Sequence, residues 1–440
     1  MNSIIDFKNK KYCVVTYGCQ MNLHESEKIS GILSGMGMSA VNEPENADVV
    51  VFNTCCIRDT AERRALGNIG KMKELKKKNK NLLIVVTGCM TQQNGFAENM
   101  KERYQYVDVI LGTHNISDLE NQIRIRLEKK KRVAAVLDTD GYIDDETTPV
   151  TRTSFPNAWV NINYGCNNLC FSYRERSRDM KSIISECEKL INDGYKEITL
   201  LGQNVNSYGN DVPDENVNFA NLLREVAKID GKFRIRFMTS HPKDLTEDVV
   251  KAIRDNDKIC NNIHLPIQAG SNSVLKNMNR RYTREHYLGL IDMIRRYLPD
   301  CGITTDIMVG FPYETEEDFL DTMDIVEKVR FSTAFTFIYS VRKGTKAAEM
   351  PQIPYEIKQN RIKRLIARQN EITEEISKDY VGNVYEILVE GMQEKKNGYV
   401  VGRTESGRLV SAKGDESMIG EFKNVKITAV KNAQLLGEIL

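Results

Sequence analysis

Short apolar runs bounded by polar turns alternate with longer amphipathic stretches through the first hundred residues. Runs at 12–17, 48–53, 82–87 and 107–111 read as strands, and helix-period stretches lie between them. That succession predicts strand-helix-strand units and an open parallel sheet. The alternation resumes further on, with strands predicted at 158–163, 197–201, 234–238, 262–267, 303–309 and 334–339 and helices such as 180–193 and 314–329. Six such units predict a partial or full barrel, whose active face is built from the loops that follow the strands. From Gly382 short alternating runs return at 384–389, 399–404, 409–412 and 424–430, with Gly398, Gly407, Gly414 and Gly420 at the turns. This spacing predicts a small antiparallel barrel. A helix from Pro354 to about Tyr380 joins the two barrels.

The fold class is therefore α/β in three parts: an amino-terminal open parallel-sheet domain at 11–132, a central (βα)6-type partial barrel at 157–375, and a carboxyl-terminal small antiparallel β-barrel at 376–440. An acidic, threonine-rich linker at 133–156 separates the first two. A length of 440 residues suits two or three domains. The formal net charge is only +1, so no global basic field announces nucleic acid, and any RNA contact must come from local patches. No apolar run approaches a membrane span and the amino terminus has no secretion signal, which points to a soluble, cytoplasmic protein without a membrane partner.

Ten cysteines are many for such a protein, and their placement carries the chemistry. Cys19, Cys55 and Cys89 each follow one of the first three strands, within about two residues. The crevice beyond strand carboxyl ends is where open parallel sheets bind ligands, so these three can meet there. Three thiolates can hold three irons of a cubane and leave the fourth iron open. The plainer alternative is three buried cysteines acting as small hydrophobes. Cys13, inside a strand, and Cys56, beside Cys55, fit that packing role. Cys166 and Cys170 follow the first barrel strand and so fall on the active face. Cys187 shares a helix face with Ile183, Ile184 and Leu190, while Cys260 and Cys301 precede strands and belong to the opposite end of the barrel. None of these three is placed to join the Cys166–Cys170 loop. Basic residues cluster at Lys76-Lys77-Lys78, at 129–132, on the joining helix (Arg361, Lys363, Arg364, Arg368) and in the last domain (Lys395, Lys396, Arg403, Arg408, Lys413). Those of the last domain are placed to track phosphates or to form a solvated basic surface, and Tyr399 to stack on a base or to pack in the core.

Taken together, Tyr17-Gly-Cys-Gln-Met-Asn22, Asn53-Thr-Cys55, Gly88-Cys89, Gly165-Cys-Asn-Asn-Leu-Cys170, Leu201-Gly-Gln-Asn-Val-Asn206 and Phe337-Ile-Tyr-Ser340 resemble the radical S-adenosylmethionine methylthiotransferases along almost the whole chain. The Gln-Met-Asn and Gly-Gln-Asn-Val-Asn versions are similar to the branch acting on tRNA. The resemblance implies conversion of N6-isopentenyladenosine beside the anticodon to its 2-methylthio form. It implies two 4Fe-4S clusters: an auxiliary one on Cys19, Cys55 and Cys89, and a second on Cys166 and Cys170 that binds and cleaves S-adenosylmethionine. It also implies tRNA, a sulfur donor and an electron donor as partners, and an RNA-binding TRAM-like final domain. By position, Gln203, Asn204 and Arg236 are expected to grip the methionine part of the cofactor.

In one place the chain departs from the pattern. The family's loop reads Cys-x3-Cys-x2-Cys, then an apolar, proline-containing stretch and Arg-Gly, before Arg-Glu-Arg-Ser-Arg. Here Phe171-Ser-Tyr173 runs straight into Arg174, so about eight residues and the third cysteine are absent. The expectation is a labile second cluster and impaired radical activity. The alternative reading is a non-catalytic tRNA-binding relative that keeps only the auxiliary cluster.

Overall fold

A computed structural model describes residues 6–55, 59–93, 95–137, 148–165, 167, 175–342, 344–394 and 396–440. The chain divides into two compact units: Met1–Thr153 with Tyr164–Arg176, and Ser154–Asn163 with Ser177–Leu440.

In the first unit, β1 (Lys11–Thr16), β2 (Ser39–Ala40), β3 (Val49–Thr54), β4 (Leu83–Gly88), β5 (Val109–Leu111) and β6 (Val133–Ala135) form one sheet in the order β2-β1-β3-β4-β5-β6. Every pairing is parallel. β3 and β4 are buried at every position, which is why they read as unbroken runs: helices cover both faces. One face packs Val49, Val51 and Val85 against Ile29, Leu33 and Ile123; the other packs Phe52, Ile84 and Val86 against Ile69, Met72 and Met100. Two edge strands escaped the sequence pattern, since elements as short as β2 and β6 carry no readable period. β6 thereby takes 133–135 out of the expected linker. The linker's tail is also ordered: the amides of Thr151 and Thr153 donate to Glu27, on α1 (Gln20–Gly35), at 3.0 and 2.8 Å. Residues 138–147 lie outside the described residues.

The chain passes from β1 to β2 on one side and then returns to β3 on the other. The topological switch point therefore lies between the carboxyl ends of β1 and β3.

In the second unit six parallel strands, Asn157–Asn161, Glu197–Leu201, Arg234–Phe237, Asn262–His264, Gly302–Val309 and Thr333–Ile338, alternate with helices. They pair as two sets of three, joined by a parallel bridge between Ile235 and Ile259 and by the Ser240 amide on the His264 carbonyl. Among the described residues the first and last strands do not pair, so the barrel is partial. Alternation along Gly302–Val309 sends Ile303, Ile307 and Val309 into the core shared with the helices, and leaves Thr304, Asp306 and Met308 facing the lumen.

The last 60 or so residues close into a five-stranded barrel of Val384–Met392, Tyr399–Thr404, Leu409–Lys413, Phe422–Lys431 and Gln434–Ile439. It is not wholly antiparallel, because strands in a closed ring cannot alternate direction when their number is odd. The one parallel seam pairs Val410 with Leu435. This module sits at the starting ends of the barrel strands. Arg234 donates to the carbonyls of Arg403 and Glu386 at 2.7 and 3.0 Å, and Asn262 donates to that of Ser406 at 3.2 Å. A methyl group on Gly302 would meet the Ser406 carbonyl at 2.2 Å, so only glycine allows this close approach. Arg408, expected to face phosphates, is buried instead, donating to the Ser332 carbonyl at 3.0 Å and to the Ser377 hydroxyl. On the joining helix, Tyr355–Lys378, Arg361 pairs with Glu314, Arg364 with Glu316 and Arg368 with Glu327, so these charges serve packing and surface pairing.

Candidate functional site

In the first unit, the loops after β1, β3 and β4 carry Cys19, Cys55 and Cys89, and backbone hydrogen bonds knit the loops together. The Cys89 amide donates to the Thr54 carbonyl at 2.8 Å, and the Tyr17 amide to that of Asn53 at 2.9 Å. Two buried asparagines complete the lacing. Asn22 donates to the Thr54 carbonyl at 3.1 Å, and Asn53 donates back to the Asn22 carbonyl at 2.8 Å. Gly18 and Gly88 have φ of 131° and 100°, a region that favours glycine. Added methyls would lie 2.7 Å from the Cys55 β-carbon and 2.3 Å from the Thr54 carbonyl, so both glycines let the cysteine loops close up.

Cys55 is buried, while Cys19 and Cys89 are partly exposed. Cys19 is the residue before the first turn of α1. The donor set is thus three thiols at adjacent strand ends, Cys19 and Cys55 flanking the switch point and Cys89 one strand on, a chemistry that suits an iron-sulfur cluster. Among the described residues no three His, Cys, Asp or Glu side chains form a metal-holding group by themselves. Cys13 is buried within β1 as expected, and its thiol is pushed up by burial. Cys56 lies outside the described residues.

In the second unit, the loops at the strand carboxyl ends are equally specific. A methyl on Gly202 would lie 1.8 Å from the Asn163 amide oxygen. Gln203 is exposed at this face; Asn204 is buried, donating to Asp244 at 2.7 Å and receiving Asn163 on its carbonyl at 2.8 Å. Arg236 is placed otherwise than expected. Its guanidinium runs back toward the strand starts, donating to Glu197 at 2.7 Å and to the carbonyls of Thr404 and Glu405 at 2.8 and 3.1 Å. It anchors the final module and does not reach the cofactor face. Cys166 and Cys170 lie outside the described residues. Cys187 is fully buried in the helix-sheet core with Ile183 and Leu190. Cys260 and Cys301 are buried near the strand starts, and burial pushes both thiols up to about 12.

Several groups on this face were not singled out from sequence. Thr239 and Gln268, in the loops that follow the third and fourth strands, have φ of 70° and 71°; such strain in residues other than glycine is concentrated at functional sites. His264 contacts Thr304 at 2.9 Å and Asp306 at 3.6 Å, with the Phe335 ring 5.9 Å away and 45% exposed, all on lumen-facing positions. Period-two alternation across three strands was the available signal. His241 accepts the Lys243 amide on Nδ1 at 3.2 Å, which leaves its proton on Nε2.

Burial, with Arg280 nearby, pushes the His241 imidazole from 6.5 down to about 4, against the opposing pull of Asp244. Below pH 6.5 the unfolded chain takes up a proton that the folded chain refuses, so the stability carried here is full above 6.5 and lost as pH falls toward 4. Denaturant unfolding between pH 7 and 4 should show a loss of about 2–3 kcal/mol that His241→Gln removes.

Comparison with known proteins adds the following. Residues 11–112 match the uncharacterized protein family UPF0004, residues 160–326 the Radical SAM superfamily and residues 378–440 the TRAM domain. A tRNA-2-methylthio-N(6)-dimethylallyladenosine synthase of Thermoanaerobacter pseudethanolicus is 50% identical over 443 residues, covering 98% of this chain and 93% of the relative. One of Clostridium botulinum, strain Langeland, is 48% identical over 453 residues and covers both chains completely. The chain belongs to the tRNA-2-methylthio-N(6)-dimethylallyladenosine synthase family. The fold of these synthases is shared more distantly by the radical S-adenosylmethionine methyltransferase TsrM of Kitasatospora setae, with a TM-score of 0.53 at 12% identity over 89% of this chain and 80% of that one. The Radical SAM match implies a 4Fe-4S cluster and S-adenosylmethionine as the superfamily's cofactors. No helix among the described residues is long and apolar enough to cross a membrane.

Proposed function

We propose that this chain is built to replace the C2 hydrogen of N6-dimethylallyladenosine in tRNA by a methylthio group. The observation that carries the reading is full-length identity near 50% to synthases of that name, and the laced cysteine crevice supports it. Cys19, Cys55 and Cys89 would hold an auxiliary 4Fe-4S cluster that handles the sulfur, a second cluster beside the one its superfamily uses. Cys166 and Cys170 belong to the superfamily's own site, and Gln203, exposed on that face and carried by the loop that the buried Asn204 holds in place, would contact the S-adenosylmethionine. When bound, these groups supply the sulfur and radical chemistry.

The chain's own residues do the rest. Asn22 and Asn53 hold two cysteine loops in register, and Asp244 fixes Asn204. A sulfur source and an electron donor are required partners, and the reaction belongs to the cytoplasm. The first test is recognition. The chain should retain tRNA bearing N6-dimethylallyladenosine in preference to the same tRNA without the dimethylallyl group, with affinity falling as salt rises. Equal retention of both tRNAs in a filter-binding titration would remove the substrate from the proposal.

A further inference from the structure

We infer that the barrel of this polypeptide does not hold the three-thiolate cluster on which its superfamily's radical chemistry depends, and that the protein is a tRNA-binding synthase arrested before radical initiation by a lesion confined to one loop. The inference rests on the substrate reading above only for the identity of the RNA.

The donor count carries it. After Cys166 the sequence runs Asn-Asn-Leu-Cys170-Phe-Ser-Tyr-Arg174, and the next cysteine is Cys187. That thiol is fully buried in the helix Met180–Asn192, facing Ile183 and Leu190. Cys260 and Cys301 are buried at the other end of the barrel, in the neighbourhood of the Thr404–Ser406 turn of the final module. None of the three reaches the loops at the strand carboxyl ends. A cubane on three thiolates has one iron open for the cofactor's amino-acid end; on two thiolates it has no single distinguished iron and is labile. Ser172 and Tyr173 offer hard oxygens that hold their protons at neutral pH. Reductive cleavage of the cofactor's sulfur-carbon bond takes one electron from that cluster, so without it the bond stays intact.

Among the described residues the rest of the barrel keeps its loop contacts. The loop glycine Gly202 keeps its tight seat against Asn163, and Asn204 its partner Asp244. After the fifth strand the buried Glu314 still receives the Gly310 amide at 3.0 Å and Arg361 at 2.7 Å. The Clostridium botulinum comparison runs over 453 positions against 440 residues here, so that relative has residues opposite gaps in this chain.

The test uses the full-length chain, reconstituted anaerobically with iron and sulfide, beside two variants. One carries Cys19→Ala, Cys55→Ala and Cys89→Ala; the other carries Cys166→Ala and Cys170→Ala. Iron and sulfide per chain are measured, with electron paramagnetic resonance of the reduced protein before and after S-adenosylmethionine. The unaltered chain should hold the iron of one cubane, unchanged in the second variant and near background in the first, with a signal blind to S-adenosylmethionine. Two cubanes per chain, or a signal that shifts with the cofactor, would overturn the inference. Inserting the family's missing residues with a third cysteine after Tyr173 should add a second cubane and a cofactor-sensitive signal; failure to do so overturns the confinement to one loop. If the completed chain gains both clusters and still leaves tRNA unmodified, the substrate reading falls while this inference stands.

Discussion

Replacing Cys55 by alanine should strip the amino-terminal centre of its iron while leaving the fold in place. The side chain is small and fully enclosed, so the change costs roughly 1–2 kcal/mol of packing, well within the reserve of a domain with two covered sheet faces. Its effect on the centre is far larger. Cys55 directly follows β3, the strand that forms one wall of the switch point and hydrogen-bonds to both neighbouring strands. It is also the cysteine whose β-carbon lies against Gly18, so it sets the distance between the first two loops. Circular dichroism should be unchanged, and reconstituted iron should fall to background. Retention of a full cubane by the Cys55→Ala chain would show that Cys55 is a packing residue and that the ligand set lies elsewhere.

Replacing Arg236 by methionine should loosen the final module from the barrel. Its guanidinium is almost wholly enclosed and paired with Glu197, whose side chain is only 4% exposed. Removing one partner leaves a buried carboxylate uncompensated, which costs about 3–5 kcal/mol. The two carbonyl contacts to Thr404 and Glu405 go with it. In a unit of this size the melting temperature should fall by about 10 °C. The paired variant Arg236→Met with Glu197→Met should recover much of the loss, because no charge is then left buried. If the single variant melts like the parent, the contact is ornamental and the module is held by other residues.

The cysteine placements were legible because strand ends are legible. An apolar run that stops at a cysteine places that thiol at one end of a sheet, and a cysteine that precedes such a run lies at the other end; Cys19, Cys55, Cys89, Cys260 and Cys301 all follow that rule. Arg236 shows where the rule stops. Alternation correctly turns it toward the lumen, but a long side chain can run either way along the strand, and its acidic partner Glu197 decides the direction. Arg408 was misread for a related reason: in an RNA-binding module a basic residue suggests a phosphate, whereas three oxygens of the folded chain already claim it. The final strand, Gln434–Ile439, escaped because its hairpin turns through Asn432 and Ala433 at φ of 49° and 63°, without the glycine that ordinarily marks such a turn.

The seating of the small barrel at the strand starts has a consequence for which RNAs can be served. The strand Gly302–Val309 has eight residues, so the floor and the mouth of the large barrel are on the order of 25 Å apart. A single nucleotide cannot touch both. An RNA gripped at the floor and read at the mouth would have to bridge that span, as a stiff stem does, so the two ends of this one unit would act as a calliper. In a filter-binding titration a folded stem-loop is then expected to be retained and a short oligonucleotide of the same sequence to be lost.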